Sequence, residues 1–545
     1  MKKHLIMCGM LAITLSGCGG GSSGDNSKPP AVSSVSPAAD GTDVLRSAPV
    51  TATFNMDLLA NSVSDSSFTL ALNGPVAGAV SFDASSKTAT FTPTQSLAVL
   101  STYTATLTTG ITNLAGDPLS AAFNWSFTTA DGSLSSTAQQ VQSDTANLVD
   151  PKIAYSADGS ATAIWQASFF AGRLWANHYS PADGWGTPSM LQTDTTTNLT
   201  NYQLVADDNG NAFVIWSQGS ASIWVSYYSS TTNSWDTPQQ INGVVTDRAG
   251  GPGIALHADG TAMAVWIGTT GTNTDVYASY YTSDAGWSAA ETIDNSDGET
   301  YSVQVDFDGS GNAIAVWTQH DGTQYSIYAN RFVAGTGWGA TTLAESLDTG
   351  TADFAPSALL GVDDSGNAIV VWNQYDGTHY DLWANRYDVT DGWQTEGILE
   401  NSDLNIFFPT LAMNSSGKAI VVWAKKDASN NFSGFSSRIY TPGDGWGADE
   451  AFNYIGPDFE DLTVKMDERG NALFFWANDD NTNSTLWYNR YRSASGWAGP
   501  TEISRYGNDY GDFTPQVAVK SDGEAMLIFS STSTDNKYIA TRLFK

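Results

Sequence analysis

Seven tryptophans at equivalent positions are the residues of this sequence best suited to contact a sugar. Each follows a turn, usually after a glycine, and opens a short expected strand: Trp185, Trp235, Trp287, Trp338, Trp393, Trp446 and Trp497. Indole rings stack on the apolar faces of sugars, so we predict ligand binding by this set in grooves between neighbouring sheets. The alternative is core packing, because an aromatic residue repeated at a fixed strand position normally packs between sheets.

Two aspartates at one turn are candidates for a metal site. Asp306 and Asp308 place carboxylates on alternate residues, and Ca²⁺ prefers oxygen ligands of this kind. Aspartate is also a common turn former, because its side chain caps nearby backbone N–H groups. We therefore expect no cofactor, with calcium at Asp306 and Asp308 as the alternative.

The sequence contains no recognisable catalytic set. Its histidines beyond the first residues are scattered, and it has no zinc-ligand spacing, Gly-x-Ser-x-Gly elbow or phosphate loop. Paired carboxylates for glycoside hydrolysis cannot be located among so many acidic residues. The sequence therefore favours a non-enzymatic protein, with a carbohydrate-active enzyme as the alternative. We expect an asymmetric site, if one exists, near Thr274–Tyr277 or residues 431–435, where the repeats described below depart most from their consensus.

The composition excludes several partners. The formal net charge is −33, and a polyanion repels nucleic acids and acidic lipid headgroups. The two cysteines, Cys8 and Cys18, both lie near the N-terminus. Stability must therefore come from packing, because the rest of the chain has no thiol for a disulfide.

The first residues have the pattern of an export signal. Lys2 and Lys3 precede an apolar stretch from Leu5 to Leu15, which is too short to span a bilayer. Leu15-Ser16-Gly17-Cys18 follows and resembles the bacterial lipobox. The resemblance implies removal of residues 1–17, acylation of Cys18 and a flexible linker over residues 18–29. Gly19 in place of an aspartate implies the outer membrane, facing either the periplasm or the cell surface. The alternative is an ordinary secretory signal.

Residues 30–130 have the alternation of a small antiparallel sandwich. Val50–Phe54, Thr88–Phe91 and Tyr103–Leu107 alternate apolar and polar residues, and turn residues separate them. The segments Pro37–Gly41 and Trp125–Thr129 resemble the SbsA-type bacterial Ig-like domain. This resemblance implies a spacer or display module, with direct adhesion as the alternative.

Residues 131–545 consist of a repeat. A Gly-x-Ala segment followed by an aromatic residue recurs at intervals of 50 to 55 residues, ending at Trp165, Trp216, Trp266, Trp317, Trp372, Trp423, Trp476 and Phe529. Each unit has the pattern of four strands, and four strands are typical of one propeller blade. The repeats resemble Gly-Asn-Ala…Val-Trp repeats of secreted bacterial proteins, and their layout is similar to that of propeller lectins. We predict an all-β protein with an Ig-like sandwich and an eight-bladed β-propeller, with seven blades as the alternative.

The ends of the repeat region predict how the ring closes. The last unit ends before its own fourth strand, and Thr137–Gln142 resembles the missing strand. We therefore expect this segment to complete the last blade and so to remove a free sheet edge.

Three arginines recur in an Asn-Arg-aromatic pattern, Arg331, Arg386 and Arg490. We expect them to form salt bridges with aspartates of neighbouring blades. The alternative is a sialidase-like cluster around one substrate carboxylate.

Together these patterns predict a membrane-anchored binding or display protein outside the cytoplasm. Its expected partners are the membrane, through a lipid, and a glycan or another surface ligand in lectin-like recognition or adhesion. The alternative function is a glycoside hydrolase or lyase on a propeller scaffold.

Overall fold

A computed structural model describes most of the chain: residues 28–144, 148–167, 172–192, 199–219, 221–243, 248–270, 273–295, 298–345, 357–375, 379–400, 405–426, 432–453, 459–479, 483–507, 514–532 and 537–545. Its regular structure is β-strand, apart from one short 3₁₀ helix at Ala60–Ser62. In this part of the chain no helix has the length and hydrophobicity that crossing a membrane requires. The chain divides into two compact units, Met1–Asp131 and Gly132–Lys545. The predicted signal segment and Cys18 lie outside the described residues.

The N-terminal unit is a sandwich of two four-stranded sheets. Its strands are β1 (Val32–Ser36), β2 (Gly41–Val44), β3 (Val50–Phe54), β4 (Phe68–Ala71), β5 (Gly78–Asp83), β6 (Thr88–Pro93), β7 (Thr102–Leu107) and β8 (Phe123–Thr129). The sheet orders are β1-β3-β6-β5 and β2-β8-β7-β4. Alternation in β3 buries Val50, Ala52 and Phe54, because successive side chains point to opposite faces of a strand. The Ig-like architecture that the sequence predicts is confirmed.

In its described residues the C-terminal unit has eight sheets, and we number these sheets as blades 1 to 8. Strand β9 (Gln139–Asp144) precedes them. Blade 1 has β10 (Leu148–Tyr155), β11 (Ala161–Ala167), β12 (Arg173–Ser180), β13 (Gly184–Trp185) and β14 (Ser189–Met190); blade 2 has β15 (Leu199–Ala206), β16 (Ala212–Gln218), β17 (Ser222–Ser229), β18 (Ser234–Trp235) and β19 (Gln239–Gln240); blade 3 has β20 (Arg248–Leu256), β21 (Ala262–Thr270), β22 (Asn273–Thr282), β23 (Gly286–Trp287) and β24 (Glu291–Thr292); blade 4 has β25 (Thr300–Phe307), β26 (Ala313–His320), β27 (Tyr325–Val333), β28 (Gly337–Trp338) and β29 (Thr342–Leu343).

The remaining blades repeat this plan. Blade 5 has β30 (Leu359–Val362), β31 (Ala368–Tyr375), β32 (Tyr380–Asp388), β33 (Gly392–Trp393) and β34 (Gly397–Glu400); blade 6 has β35 (Ile406–Met413), β36 (Ala419–Lys426), β37 (Phe432–Thr441), β38 (Gly445–Trp446) and β39 (Glu450–Asn453); blade 7 has β40 (Phe459–Met466), β41 (Ala472–Asp479), β42 (Asn483–Arg492), β43 (Gly496–Trp497) and β44 (Thr501–Gly507); blade 8 has β45 (Gln516–Val519), β46 (Ala525–Thr532) and β47 (Lys537–Phe544). In blades 1 to 7 the fourth strand is split into two short pieces, and both pieces pair with the third strand.

The blades pack face to face in chain order. The first strands contact one another in sequence from β15 to β45, while β10 contacts β15 on one side and both β45 and β46 of blade 8 on the other. The second strands are buried along most of their length, as at Ala368–Trp372, because each lies between two neighbouring sheets. This is the propeller-like arrangement that the repeat predicts.

The N-terminal strand of this unit completes its last sheet. Strand β9 pairs antiparallel with β47, with Gln139 opposite Thr541 and Gln142 opposite Ile539. Blade 8 therefore has the order β45-β46-β47-β9. The backbone pairing continues through Ser133 and Lys545, whose N–H and C=O groups bond to each other at 2.8 and 3.1 Å. The predicted closing segment thus lies where the sequence places it.

Candidate functional site

The tryptophans of the second strands are core residues. All seven are at most 1% exposed: Trp165, Trp216, Trp266, Trp317, Trp372, Trp423 and Trp476. In three blades the indole N–H is satisfied two residues further on, as where Trp317 Nε1 donates to Gln319 Oε1 at 3.1 Å. Phe529, without an N–H, takes the same place in blade 8 and is also buried. These rings fill the space between blades and are closed to ligands.

The Gly-Trp tryptophans lie nearer the surface. Each is half-buried and packs beside an aromatic residue of its own third strand, as Trp235 does with Tyr228 at 5.3 Å between ring centroids. Three indoles also donate to the preceding blade: Trp185 Nε1 to Thr541 Oγ1 at 3.0 Å, Trp393 Nε1 to Thr342 Oγ1 at 3.3 Å and Trp497 Nε1 to Ser437 Oγ at 2.9 Å. The set therefore has a packing role between blades and keeps part of each ring accessible.

One of these tryptophans lines a groove between blades 1 and 2. The groove has a volume of about 410 Å³ and is lined by Asn177, His178, Gly186, Thr187 and Ser189 of blade 1 and by Tyr228, Asn233, Ser234 and Trp235 of blade 2. His178 stacks on Tyr228 with ring centroids 4.4 Å apart. Burial lowers the pKa of His178, although Asp158 opposes the shift. Because the imidazole is then neutral at pH 7, no lining side chain carries a full charge.

A second candidate site lies along the first strands, where the backbone carries a repeated bulge. Residues nine positions before the turn glycine of each blade form this set: Asp150, Asn201, Gly251, Ser302, Ser357, Phe408, Asp461 and Thr514. Six of them have positive φ, between 45° and 58°. The strand register shifts beside the same six residues. Bulges and strained backbone of this kind are common near functional sites, because they redirect side chains.

The bulge residues differ from blade to blade although their backbone repeats. Asp150, Asn201 and Asp461 are exposed, as is Phe408, which keeps 58% of its surface. A positive φ is unusual for a bulky aromatic residue. The fold, and not the residue type, therefore imposes this backbone conformation. Neither the spacing of the tryptophans nor the turn residues mark this set. The signal in the sequence is a position at a constant distance of nine residues before the turn glycine, occupied by a different residue type in most blades.

A cavity of about 470 Å³ lies beside these bulges. First-strand residues of blades 2, 3 and 4 line it, from Asn201–Val205, Gly251–Ile254 and Ser302–Val305, and Lys465 of blade 7 completes the wall. Lys465 is open to water here, yet burial among protein atoms lowers its pKa. Burial also raises the pKa of Asp306 to about 6, against the effect of the Lys465 charge. The cavity thus brings together polar residues from several blades.

The two candidate calcium ligands have separate surroundings. Asp308 is 5% exposed, and its Oδ1 accepts the backbone N–H groups of Ser310 and Asn312 at 2.8 and 2.9 Å. Its Oδ2 accepts from Arg331 Nη2 at 3.2 Å. Asp306 instead interacts with Lys465 of blade 7. No group of three or more metal-ligating His, Cys, Asp or Glu residues occurs in the described part of the chain, so the structure adds no support for calcium.

All three recurrent arginines form ion pairs within their own blades. For Arg331 and Arg386 the expected blade-to-blade bridge is therefore wrong. Arg331 of β27 pairs with Asp308 in the turn of blade 4, and Arg386 pairs with Asp388 two residues along the same strand at 2.9 Å. Arg490 lies 4.0 Å from Asp467 of its own blade. The turn between the first and second strands lies beside the third strand of the same sheet. The aspartate of this turn is therefore the nearest partner for Arg331 and Arg490. The expected asymmetric site near Thr274–Tyr277 or residues 431–435 stays a prediction; residue 431 lies outside the described residues.

Comparisons with known proteins give one family match and several distant structural similarities. Residues 26–129 match the family model of a bacterial Ig-like domain. The sequence matches no curated protein. Among solved structures, the chain is similar to an ulvan lyase (12% identity, 61% of this chain and 89% of that one, TM-score 0.40), an α-L-arabinofuranosidase of Fusarium graminearum (12%, 54% and 92%, 0.35) and the Aleuria aurantia lectin (13%, 56% and 97%, 0.33). These similarities concern the fold alone.

The sequence match and the two-sheet sandwich identify the same part of the chain. The N-terminal unit is a bacterial Ig-like domain, and an all-β unit of propeller-like sheets follows it.

Proposed function

We propose that this chain is an exported lipoprotein whose C-terminal unit binds glycans without cleaving them. The observation that carries the proposal is the groove between blades 1 and 2, which joins the indole of Trp235 to amide and hydroxyl side chains. Its volume of about 410 Å³ falls within the range of about 300–1,000 Å³ typical of small-molecule sites.

The chemistry of the groove suits a neutral sugar. Aromatic rings such as Trp235 and Tyr228 cover the apolar face of a pyranose. Asn177, Asn233 and Ser189 can exchange hydrogen bonds with its hydroxyl groups. Since no lining group is charged at pH 7, a charged ligand gains nothing from this groove. The other Gly-Trp tryptophans lie at equivalent places, so several weak sites on one ring would add by avidity.

We expect Trp235→Ala to weaken glycan binding only in part. Loss of one stacking contact should reduce affinity about two- to tenfold, while the remaining blades still bind. The measurement is retardation of the protein in native gels that contain dextran, xylan or galactomannan. Leu114→Ala, a change at a residue of the Ig-like unit that is 68% exposed, is the matched control. Unchanged retardation of Trp235→Ala with a preserved melting curve would show that the groove does not bind the glycan.

The second candidate function is a carbohydrate-active enzyme, a hydrolase or a lyase. Asp306 and Lys465 favour it, because shifted pKa values beside a cavity are typical of catalytic groups. Binding without turnover remains the proposal, since the groove offers contacts for a sugar and no acid–base pair. Release of new chain ends from a bound polysaccharide would favour the enzyme.

For the N-terminal segment we propose a signal peptide, acylation of Cys18 and a place in the outer membrane. The lipobox-like residues before Cys18 support this proposal, and three acyl chains hold a protein far more firmly than one. The Ig-like domain, which we regard as SbsA-type, would serve as a spacer between the lipid and the binding unit.

We expect Cys18→Ser to release the protein from the membrane fraction or to block its processing, because acylation requires the thiol. Cell fractionation and gel mobility measure both effects. Cys8→Ser, within the segment that we expect to be removed, is the control and should behave like the parent. A Cys18→Ser protein that fractionates and migrates like the parent would rule out the lipid anchor.

A further inference from the structure

The cavity beside the bulges differs in chemistry from the groove between blades 1 and 2. Its wall combines the Lys465 ammonium group with the amides of Gln203, Gln304 and Asn201 and the hydroxyl of Ser302. Residues of blades 2, 3, 4 and 7 contribute. Gln203 and Gln304 lie at equivalent positions of their blades, whereas no other blade has a lysine at the position of Lys465. The lysine therefore makes this wall a single site and not an array.

The ammonium group of Lys465 lacks a direct partner in this wall. Among the described residues it forms no hydrogen bond and no ion pair within 4.0 Å, and its electrostatic partner, Asp306, acts from a greater distance. Water reaches this group, so a ligand in the cavity can take the place of that water. A ligand with a carboxylate would bind the ammonium group through a charge-assisted hydrogen bond.

The neighbouring polar groups suit hydroxyls. The side-chain amides of Gln203 and Asn201 form no hydrogen bond with any described residue, and each can donate and accept. Gln304 Oε1 accepts the backbone N–H of Leu360 at 3.0 Å, which leaves its NH₂ group available. Ser302 Oγ lies 3.2 Å from Ser357 Oγ of blade 5, and the hydroxyl that accepts in this pair can still donate its own O–H to a ligand. Mixed donors and acceptors of this kind recognise polyols.

The charges of the cavity and of the first strands near it limit the charge of the ligand. The basic residues are Lys152 and Lys465, and the acidic residues are Asp150, Asp306 and Asp461. Lys152 interacts with Asp150 and Asp461, so one amine faces two carboxylates. A ligand with several negative charges would be repelled by these three carboxylates. A ligand with one carboxylate, bound at Lys465, would be repelled less. The volume of about 470 Å³ accommodates a ligand of the size of one or two sugars.

We propose that this cavity binds a small monocarboxylate polyol, a sugar acid, with Lys465 as its counter-ion. The site is separate from the neutral groove and does not depend on it.

The affinity of the site should rise as the pH falls. Asp306 competes with the ligand for Lys465, and its carboxylate, with a pKa of about 6, is mostly ionised at pH 7.5 and mostly neutral at pH 5. Lys465 of β40 acts on Asp306. Among the side chains that the structure describes, Lys152, Asp150 and Asp461 are the other charged groups of the first strands. Sugar acids with pKa values near 3 stay ionised over this range. A change of affinity with pH therefore comes from groups of the protein.

Calorimetric titration of the full chain with sodium D-glucuronate tests the proposal. We expect binding that Lys465→Met weakens about tenfold or more, whereas Lys87→Met in the Ig-like unit leaves it unchanged. D-Glucose and sodium propionate, which lack the carboxylate and the hydroxyls respectively, should each bind at least about tenfold more weakly. Asp306→Asn should bind at pH 7.5 at least as tightly as the parent and should lose the pH dependence.

Further variants keep the test decisive. If Lys465→Met does not give the melting curve of the parent, Gln203→Leu takes its place and should weaken glucuronate binding with Lys465 intact. Trp235→Ala should leave glucuronate binding unchanged even where it weakens polysaccharide binding, so the two proposals fail independently. Absence of glucuronate binding by the parent, equal binding of glucose, or full affinity in folded Lys465→Met protein would each overturn the proposal.

Discussion

Deletion of Thr137–Gln142 is expected to destabilise the C-terminal unit by about 5 kcal/mol. Most of β9 is lost, and with it several backbone hydrogen bonds to β47, each contributing about 1 kcal/mol. Val141, 5% exposed, also leaves the cluster that it forms with Trp165 and Ile539, which adds about 1.5 kcal/mol or more. Because whole domains are stable by only about 5–15 kcal/mol, blade 8 should open or the unit should unfold.

The matched control is deletion of residues 28–131. That change removes the Ig-like unit and keeps β9 paired with β47, so the melting temperature of the C-terminal unit should stay within about 2 °C of its original value. Thermal unfolding followed by far-ultraviolet circular dichroism compares the two proteins. Equal melting temperatures would show that β9 does not hold the last blade in place.

Trp317→Ala is expected to destabilise the same unit by about 4 kcal/mol. The ring is fully buried between blades 3 and 4, where it contacts the cluster of Val265 and Val303. Its removal leaves a cavity that close-packed neighbours cannot fill, and loss of a buried Trp costs about 3–5 kcal/mol. The change also leaves the Gln319 carbonyl without the indole N–H that it accepts.

Trp338→Ala in the same blade is the control for this substitution. Trp338 is only half-buried and packs on Phe332 at 5.6 Å, so we expect it to cost about 1–2 kcal/mol. Urea unfolding of both variants gives the comparison. A cost for Trp338→Ala equal to that of Trp317→Ala would mean that the Gly-Trp rings belong to the core and not to an accessible surface.

Much of the fold could be predicted from the sequence because it repeats. The aromatic residue that ends each Gly-x-Ala segment is the buried ring of a second strand, and Gly-Trp begins the split fourth strand. The closing segment could be predicted from a missing strand at one end and a surplus strand at the other. These features follow from strand periodicity and turn chemistry, which are local properties of the chain.

The candidate sites were harder to predict because they depend on a change of register. A bulge inserts one residue into the first strand and redirects the side chains on either side of it, and no residue type marks it: Asp150, Ser302 and Phe408 share the same backbone conformation. Asp306 and Asp308 show the same difficulty. They are two residues apart in sequence, yet one lies on the strand near Lys465 and the other caps the turn.

The measurement that tests the central proposal most directly is a glycan array followed by an assay of turnover. Protein that begins at residue 19 is applied to an array of neutral and acidic glycans, and each bound polysaccharide is then incubated with it while new chain ends are counted. The proposal predicts binding that Trp235→Ala weakens, with no increase in chain ends over buffer alone. A folded protein that binds no glycan on the array, or one that releases new ends, would contradict it.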